Sequence, residues 1–342
     1  MIRATESAPA WRRERMKTLT EWLSTQDTAS DGLRRGVERI AAACVEIAAL
    51  IERAPFEGQT GALDSSNVQG EVQKALDVLS NDVFLARCAE EPAFAAFASE
   101  ELDDVTPGTP GGDLLVAFDP LDGSSNLDVS MCVGSIFSIL PAPAGKPAIE
   151  AADFFQPGRA QLAAGYALYG PQVMLVLSVG GEVCGFTLDR AHSAWLLTHP
   201  GMSVPADSGE YAINASNERH WRPGLKGFVA DMKAGKDGPL QRDFNMRWLA
   251  AMVADVHRVL VRGGIFVYPA DARPKLADGK LRVLYECAPM AYLVEKAGGL
   301  AYAAAGPMLD LSPGKLHQRA PILLGSRNLV AKAWEASASD AG

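Results

Sequence analysis

The stretch Phe118-Asp119-Pro120-Leu121-Asp122-Gly123-Ser124-Ser125-Asn126 decides how the rest of the chain is read. An apolar run, Leu114 to Phe118, stops at two carboxylates, a glycine and two hydroxyl residues, the pattern of a buried strand that ends at a polar site. Asp119 and Asp122 lie three apart with Pro120 fixing φ between them, so both can face one point if the chain turns immediately after the strand. Carboxylates aimed at one point suit a hard cation, and the backbone N–H groups of Gly123 and Ser124 beside them can hold a phosphate.

Working outward, Val133 to Leu140 reads as a second buried strand, and Gly165 to Val179 with Glu182 to Leu188, broken at Gly180-Gly181, as paired strands. Upstream, Val37, Ile40, Cys44, Ile47 and Ile51 fall on one stripe of a helix from Leu33 to Ile51. Pro55 to Gly70, rich in Gly, Ser, Asn and Gln, reads as a mobile loop. Glu71 to Leu85 reads as a helix with Val72, Leu76, Leu79 and Val83 on its apolar face and Asp77 off it. A helix-like segment with Phe94 and Phe97 precedes Glu100-Glu101, a pair whose spacing alone favours a solvated surface.

Beyond Pro200 helices and strands alternate. Ala212 to Asn214 is strand-like, Trp248 to Leu260 helical, Ile265 to Tyr268 a strand, and Leu281 to Tyr285 a strand ending at Glu286. Pro289 starts a helix closed by Gly298-Gly299, Pro321 to Leu324 is a short strand, and Ser326 caps a final helix. The fold class is therefore α/β, helices and sheets in layers. A length of 342 residues favours two domains, with a single large one as the alternative: a flexible arm over 1–18, a first domain over 19–200 and a second over 201–335.

Hydrophobic residues make up 48% and charged residues 21%, which permits a sizeable core and excludes overall disorder. A net charge of −9 without a basic stripe argues against a nucleic-acid partner. No apolar run reaches the roughly 18 residues of a membrane span, and the N-terminus lacks an apolar signal core, so a cytoplasmic protein without a membrane partner is expected. Five scattered cysteines read as reduced thiols, and the five isolated histidines are assigned no role.

Asp119, Asp122, Glu286, Glu100 and Glu101 are all oxygen donors without an accompanying histidine or cysteine cluster, which points to Mg²⁺ or Mn²⁺ rather than zinc. Like charges ~4 Å apart repel by about 4 kcal/mol per pair at an effective dielectric of roughly 20, so such a cluster requires cations. Carboxylates that hold cations beside phosphate-binding amides suit two-metal hydrolysis of a phosphate ester.

The same motif resembles the metal-binding signature of class I fructose-1,6-bisphosphatases, relatives of the inositol monophosphatase-like enzymes. Leu76 to Asp82, Ala164 to Gly170, Met252 to Arg258, Gly263 to Pro269, Lys280 to Ala291 and Gln318 to Pro321 resemble that family in its order, from about Thr18 to Leu329. The resemblance implies an αβαβα layered sandwich and Mg²⁺-dependent release of the 1-phosphate, with two or more ions per subunit and Mn²⁺ as a substitute. It implies that Glu100, Asp119, Asp122, Glu286 and the Leu121 carbonyl ligate the metals, and that Glu101 and Asp77 activate the attacking water. Gly123, Ser124 and Ser125, with Asp122, would meet the 1-phosphate. Asn214, Arg247, Trp248, Met252, Tyr268 and Lys280 would meet the sugar and the 6-phosphate. Arg247 would reach a neighbouring subunit's site in a homotetramer. Glu71 stands where the family often has Asp at the base of the loop, a possible further metal contact.

Departures from the family are also visible. Asn217 and Trp248 replace tyrosines of the animal enzymes, and Asp113, Leu114 and Pro141 stand where those enzymes bind AMP with a lysine, a tyrosine and an arginine. Inhibition by AMP in that mode is therefore expected to be weak or absent. The cysteine-bearing insertion of the chloroplast form is missing. A sedoheptulose-1,7-bisphosphatase or dual-specificity enzyme shares the same motifs, and a catalytically silent sugar-phosphate-binding regulator is the alternative of a different class. Gluconeogenesis and a carbon-fixation cycle both remain open as pathways.

Overall fold

A computed structural model of the chain describes residues 16–57, 62–66, 72–146 and 148–338. Thr18 caps the first helix, α1 (Leu19–Ser24): its hydroxyl accepts from the Glu21 amide at 3.2 Å, and the Glu21 carboxylate accepts from the Thr18 amide at 2.7 Å. In α2 (Asp31–Glu57) the stripe Val37, Ile40, Cys44 and Ile47 is fully buried. The sequence predicts a loop from Pro55, but α2 continues through that proline to Glu57, and Ala62–Ser66 (β1) pairs antiparallel with Val72–Lys74 (β2). The next helix, α3 (Ala75–Cys88), consequently starts after the expected Glu71.

The buried face of α3 is not the apolar stripe. It comprises Leu76, Asp77, Ser80, Asn81, Phe84 and Cys88, while Leu79 and Val83 are half-buried. Among its polar members, Asn81 finds a partner inside: the Ser99 hydroxyl donates to Asn81 Oδ1 at 2.7 Å. Phe94–Ser99, expected to be helix-like, is a fully buried strand, β3. Its alanines favour helix locally, but pairing with a parallel neighbour and burial of all six residues override that preference.

The strands that follow are β4 (Thr106–Pro107), β5 (Leu114–Asp122), β6 (Val133–Pro141), β7 (Ala163–Tyr169), β8 (Val173–Ser178), β9 (Val183–Asp189) and β10 (Ala194–Met202). With β3 they form one sheet in the order β10-β9-β8-β7-β6-β5-β3-β4. The single strand expected over Gly165 to Val179 is split into β7 and β8 at Gly170-Pro171-Gln172. A second sheet, in the order β12-β11-β13-β18-β15-β16, is built from β11 (Glu210–Ala212), β12 (Asn245–Met246), β13 (Ile265–Tyr268), β15 (Leu300–Ala303), β16 (Gly306–Pro307) and β18 (Ile322–Gly325). A small ribbon pairs β14 (Leu281–Arg282) with β17 (Arg319–Ala320).

Three cores show the layering. One packs α1, α2 and α3 on the first sheet through Trp22, Ile40, Phe84, Phe118 and Phe137. The opposite face of that sheet, at Ile136, Tyr166 and Val176, meets α5 (Met252–Arg262) and α6 (Ala288–Lys296), which also cover Phe266 and Leu324 of the second sheet. The far side of the second sheet carries α4 (Pro223–Lys233) and α7 (Arg327–Ala338) around Phe228, Val267 and Val330. Helix, sheet, helix, sheet and helix thus alternate, as expected of an αβαβα sandwich.

Two boundaries in the second half differ from expectation. α5 begins at Met252 rather than Trp248, because Ala250 takes a left-handed φ of +61° and Ala251 is extended. Only Leu281 and Arg282 of the predicted strand to Tyr285 pair; Val283–Cys287 winds into a π-helical turn that runs directly into α6. No described helix is long and apolar enough to cross a membrane.

Candidate active site

Residues three apart on a regular strand face opposite sides. Here β5 does not turn after Phe118; it carries on to Asp122 with a bulge. Asp119 pairs with Ile136 and Asp122 with Gly134 of β6, so β5 has one residue more than its partner between these pairs. Pro120 cannot donate to a ladder, and its free carbonyl accepts from the buried Ser135 hydroxyl at 2.7 Å. The extra residue brings Asp119 and Asp122 to the same side. There they meet Glu286 from the π-helical turn, and the three buried carboxylates have oxygens within 4.8 Å of one another.

Backbone donors fix each acid. The Leu121 amide donates to Asp119 Oδ1 at 3.0 Å, the Val253 amide to Asp122 Oδ2 at 2.8 Å, and the Arg282 amide to Glu286 Oε2 at 2.6 Å. Gly134 makes the second contact possible, since a Cβ there would stand 2.7 Å from Val253 Cγ2. Burial, then the charges of Glu100, Asp122 and Glu286, push the Asp119 carboxyl well up. Burial and Glu286 raise Asp122, and burial raises Glu286 against the opposing charge of Arg282.

Glu100 joins from the parallel strand: its amide donates to the Phe118 carbonyl at 3.0 Å, which sets it beside Asp119. Arg282, which the sequence reading passes over, lies between Glu100 at 2.5 Å and Glu286 at 3.7 Å, with its side chain 7% exposed. A buried arginine there offsets charge that the fold would otherwise leave unpaired. Its only signal in the sequence is position, two residues after Lys280 and four before Glu286. Asp77 is buried on α3 one turn before Asn81, whose partner Ser99 also accepts from the half-buried Glu101 amide at 3.2 Å. Glu71 lies outside the described residues.

On the far side of Asp122, Gly123 takes a left-handed φ of +78° and opens the short turn Ser124–Val129. Asn126 ties this loop to the second half through its side-chain amide, which donates to the Leu249 carbonyl at 2.8 Å and the Cys132 carbonyl at 3.0 Å. Ser124 is half-buried and Ser125 exposed.

The residues expected to meet the sugar come together in part. Asn214, Asn217 and Tyr268 line one small cavity with Trp221 and Asp271. Asn214 Oδ1 is engaged locally, accepting from the Ser216 amide at 3.2 Å. Trp248 stacks on Phe266 at 6.2 Å and tilts against Tyr268 at 6.0 Å. Met252 begins α5, and Lys280 is exposed at a position where its charge acts on Asp122 and Glu286. Arg247 is exposed on the edge next to β12, its Nη1 donating to the Met246 carbonyl at 2.9 Å.

The donor set fits a hard divalent cation: three buried carboxylates converge, all their ligand atoms are oxygen, and each is raised by burial and by like charge. The family model described as the fructose-1-6-bisphosphatase N-terminal domain matches residues 17–200, and the C-terminal domain model matches 204–338. Among solved structures, the chain is similar to Leishmania major fructose-1,6-bisphosphatase in its holo form, with 36% identity and a TM-score of 0.88 over 94% of this chain and 98% of that one. The apo form of the same enzyme gives 34% and 0.83 over 94% and 99%, and its T-state 35% and 0.82 over 94% and 98%. Both domain models in order, and identity above a third along nearly the whole chain, leave one reading of this fold and its acids: the chain belongs to the fructose-1,6-bisphosphatase family of divalent-metal hydrolases of phosphoric monoesters.

Proposed function

We propose that the protein removes the 1-phosphate of fructose 1,6-bisphosphate with Mg²⁺, for which Mn²⁺ can substitute. The observation that carries this reading is the buried trio Asp119, Asp122 and Glu286 within 4.8 Å, set directly against the Gly123 loop. Glu100, these three carboxylates and the Leu121 carbonyl would hold the ions, which, when bound, lower the charge that the phosphoryl oxygens and the attacking oxygen must bear. The amides of Gly123 and Ser124, with Ser125, hold the 1-phosphate. Glu101, supported by Asp77, takes the proton of the attacking water as its oxygen bonds to phosphorus, the bond to the sugar oxygen breaks, and that oxygen takes up a proton from solvent.

Asn214, Arg247, Trp248, Met252, Tyr268 and Lys280 recognise the sugar and the 6-phosphate. The first domain, 19–200, supplies most acids and the second, 201–335, supplies Glu286 and the sugar side. Arg247, exposed at a sheet edge, serves a neighbouring subunit in a homotetramer. The test is phosphate release from fructose 1,6-bisphosphate with Mg²⁺, run beside sedoheptulose 1,7-bisphosphate. Faster release from the six-carbon substrate is expected; no metal-dependent release from it overturns the reading.

A further inference from the structure

Asp255, the one acid in the run Met252-Val253-Ala254-Asp255-Val256, is 1% exposed in the first turn of α5. Its Oδ1 accepts from the Leu249 amide at 3.0 Å, while Oδ2 is buried without a hydrogen-bond partner. A buried carboxyl with one oxygen unpaired is unfavourable in the fold and calls for a reason. The Leu249 carbonyl accepts from the Asn126 side chain at 2.8 Å, and the Asn126 amide donates to the Gly123 carbonyl at 2.8 Å. The Val253 amide of the same helix donates to Asp122. The contacts close a circuit: Asp122, Val253, Asp255, Leu249, Asn126, Gly123 and back to Asp122.

Two features show that the segment within this circuit is held under constraint. Ala250 keeps a left-handed φ of +61°, a conformation that a non-glycine residue retains where its neighbours over-determine it. Ala251 presses on the phosphate loop so closely that a Cβ on Gly123 would lie 2.4 Å from its own.

We propose that Asp255 is a positioning residue: acting through Leu249, it holds the segment that carries Arg247, Trp248 and Met252 at a set distance from the Gly123–Asn126 loop. This rests on the bisphosphate reading above and deepens it. A substrate with phosphates at both ends must engage both sides at once, so displacement of one side by ~1 Å can cost about a hundredfold. The loop keeps its own ties to Cys132 and Gly123 when Asp255 is lost, so the sugar side should suffer first.

The experiment compares Asp255→Ala and Asp255→Asn in the full chain with Mg²⁺. It uses fructose 6-phosphate as a competitive probe of the sugar side and inorganic phosphate as a probe of the loop. Hydrogen exchange at the Leu249 amide is followed without substrate. Asp255→Ala should raise KM and the fructose 6-phosphate inhibition constant about tenfold, change the phosphate constant less than about twofold, and speed Leu249 exchange. Asp255→Asn, which keeps Oδ1, should restore all of these. Unchanged KM and exchange in Asp255→Ala overturn the assignment, as does equal weakening of both probes with Asn no better than Ala. Should Asp255→Ala not fold, Leu249→Pro removes the donor instead and must reproduce the changes in KM and in the two inhibition constants. If the wild type releases no phosphate, the substrate reading fails, and Leu249 exchange still decides the role of Asp255.

Discussion

Glu101 is half-buried and follows the buried Glu100, and the role proposed for it is to take the proton of the attacking water. Glu101→Gln keeps size and polarity but cannot take that proton, so kcat should fall by about a hundredfold or more with KM little changed, measured by phosphate release. Equal loss in both would mark a binding role. His257 gives a prediction on stability. Burial, with His199 nearby, holds its imidazole down to about 4, and its Nδ1 lies 2.8 Å from the Tyr166 hydroxyl. Between about 6.5 and 4 the unfolded chain binds a proton that the folded chain refuses, so stability present above the upper value is lost as pH falls. Relative to His257→Gln, whose titration carries the opposing contribution of the raised carboxyls alone, the protein should lose about 3 kcal/mol across that window in urea titrations. The residues that carry chemistry by type, Asp119, Asp122 and Glu286, were legible in the sequence. Arg282 and Asp255 were not, because their meaning lies in partners far along the chain.

The bulge in β5 shows why elements were only partly legible. Buried strands betray themselves by continuous apolar runs, and so Leu114 to Phe118 and Val133 to Leu140 were plain. An extra residue in a strand leaves no such mark, and the two aspartates suggested a turn where the strand continues. Likewise the π-helical turn at Val283–Cys287 is apolar enough to pass for a strand, and α3 hides its buried face behind Ser80 and Asn81. Ser135 sits at the bulge, with its hydroxyl on the Pro120 carbonyl and 2.8 Å from the Tyr169 hydroxyl. Ser135→Ala should therefore lower stability by about 1–3 kcal/mol, the cost of a buried acceptor left alone, and weaken Mg²⁺ binding measured by calorimetry. A variant with lower stability and unchanged Mg²⁺ affinity would show that the bulge does not depend on this bond.

Acids from both halves meet at one point, so cation binding and the folded state of the entire chain are linked. At a Mg²⁺ concentration roughly 100 times its dissociation constant the linkage is worth about 2.7 kcal/mol, and chelation should lower Tm by several degrees. Effector response follows from a different region. Asp113 is exposed, and Leu114 faces Pro141 across the β5–β6 pair, so nothing at these positions presents a cation to a nucleotide phosphate. Submillimolar AMP should leave phosphate release unaffected; an inhibition curve in that range would refute this. Another consequence of the trio concerns the chain as it is made. Asp119 and Asp122 emerge early, but Glu286 follows nearly half the chain later, from the π-helical turn that leads into α6. The trio of buried acids is thus completed late in synthesis, and a product cut short before Glu286 would carry Asp119 and Asp122 without their third carboxylate.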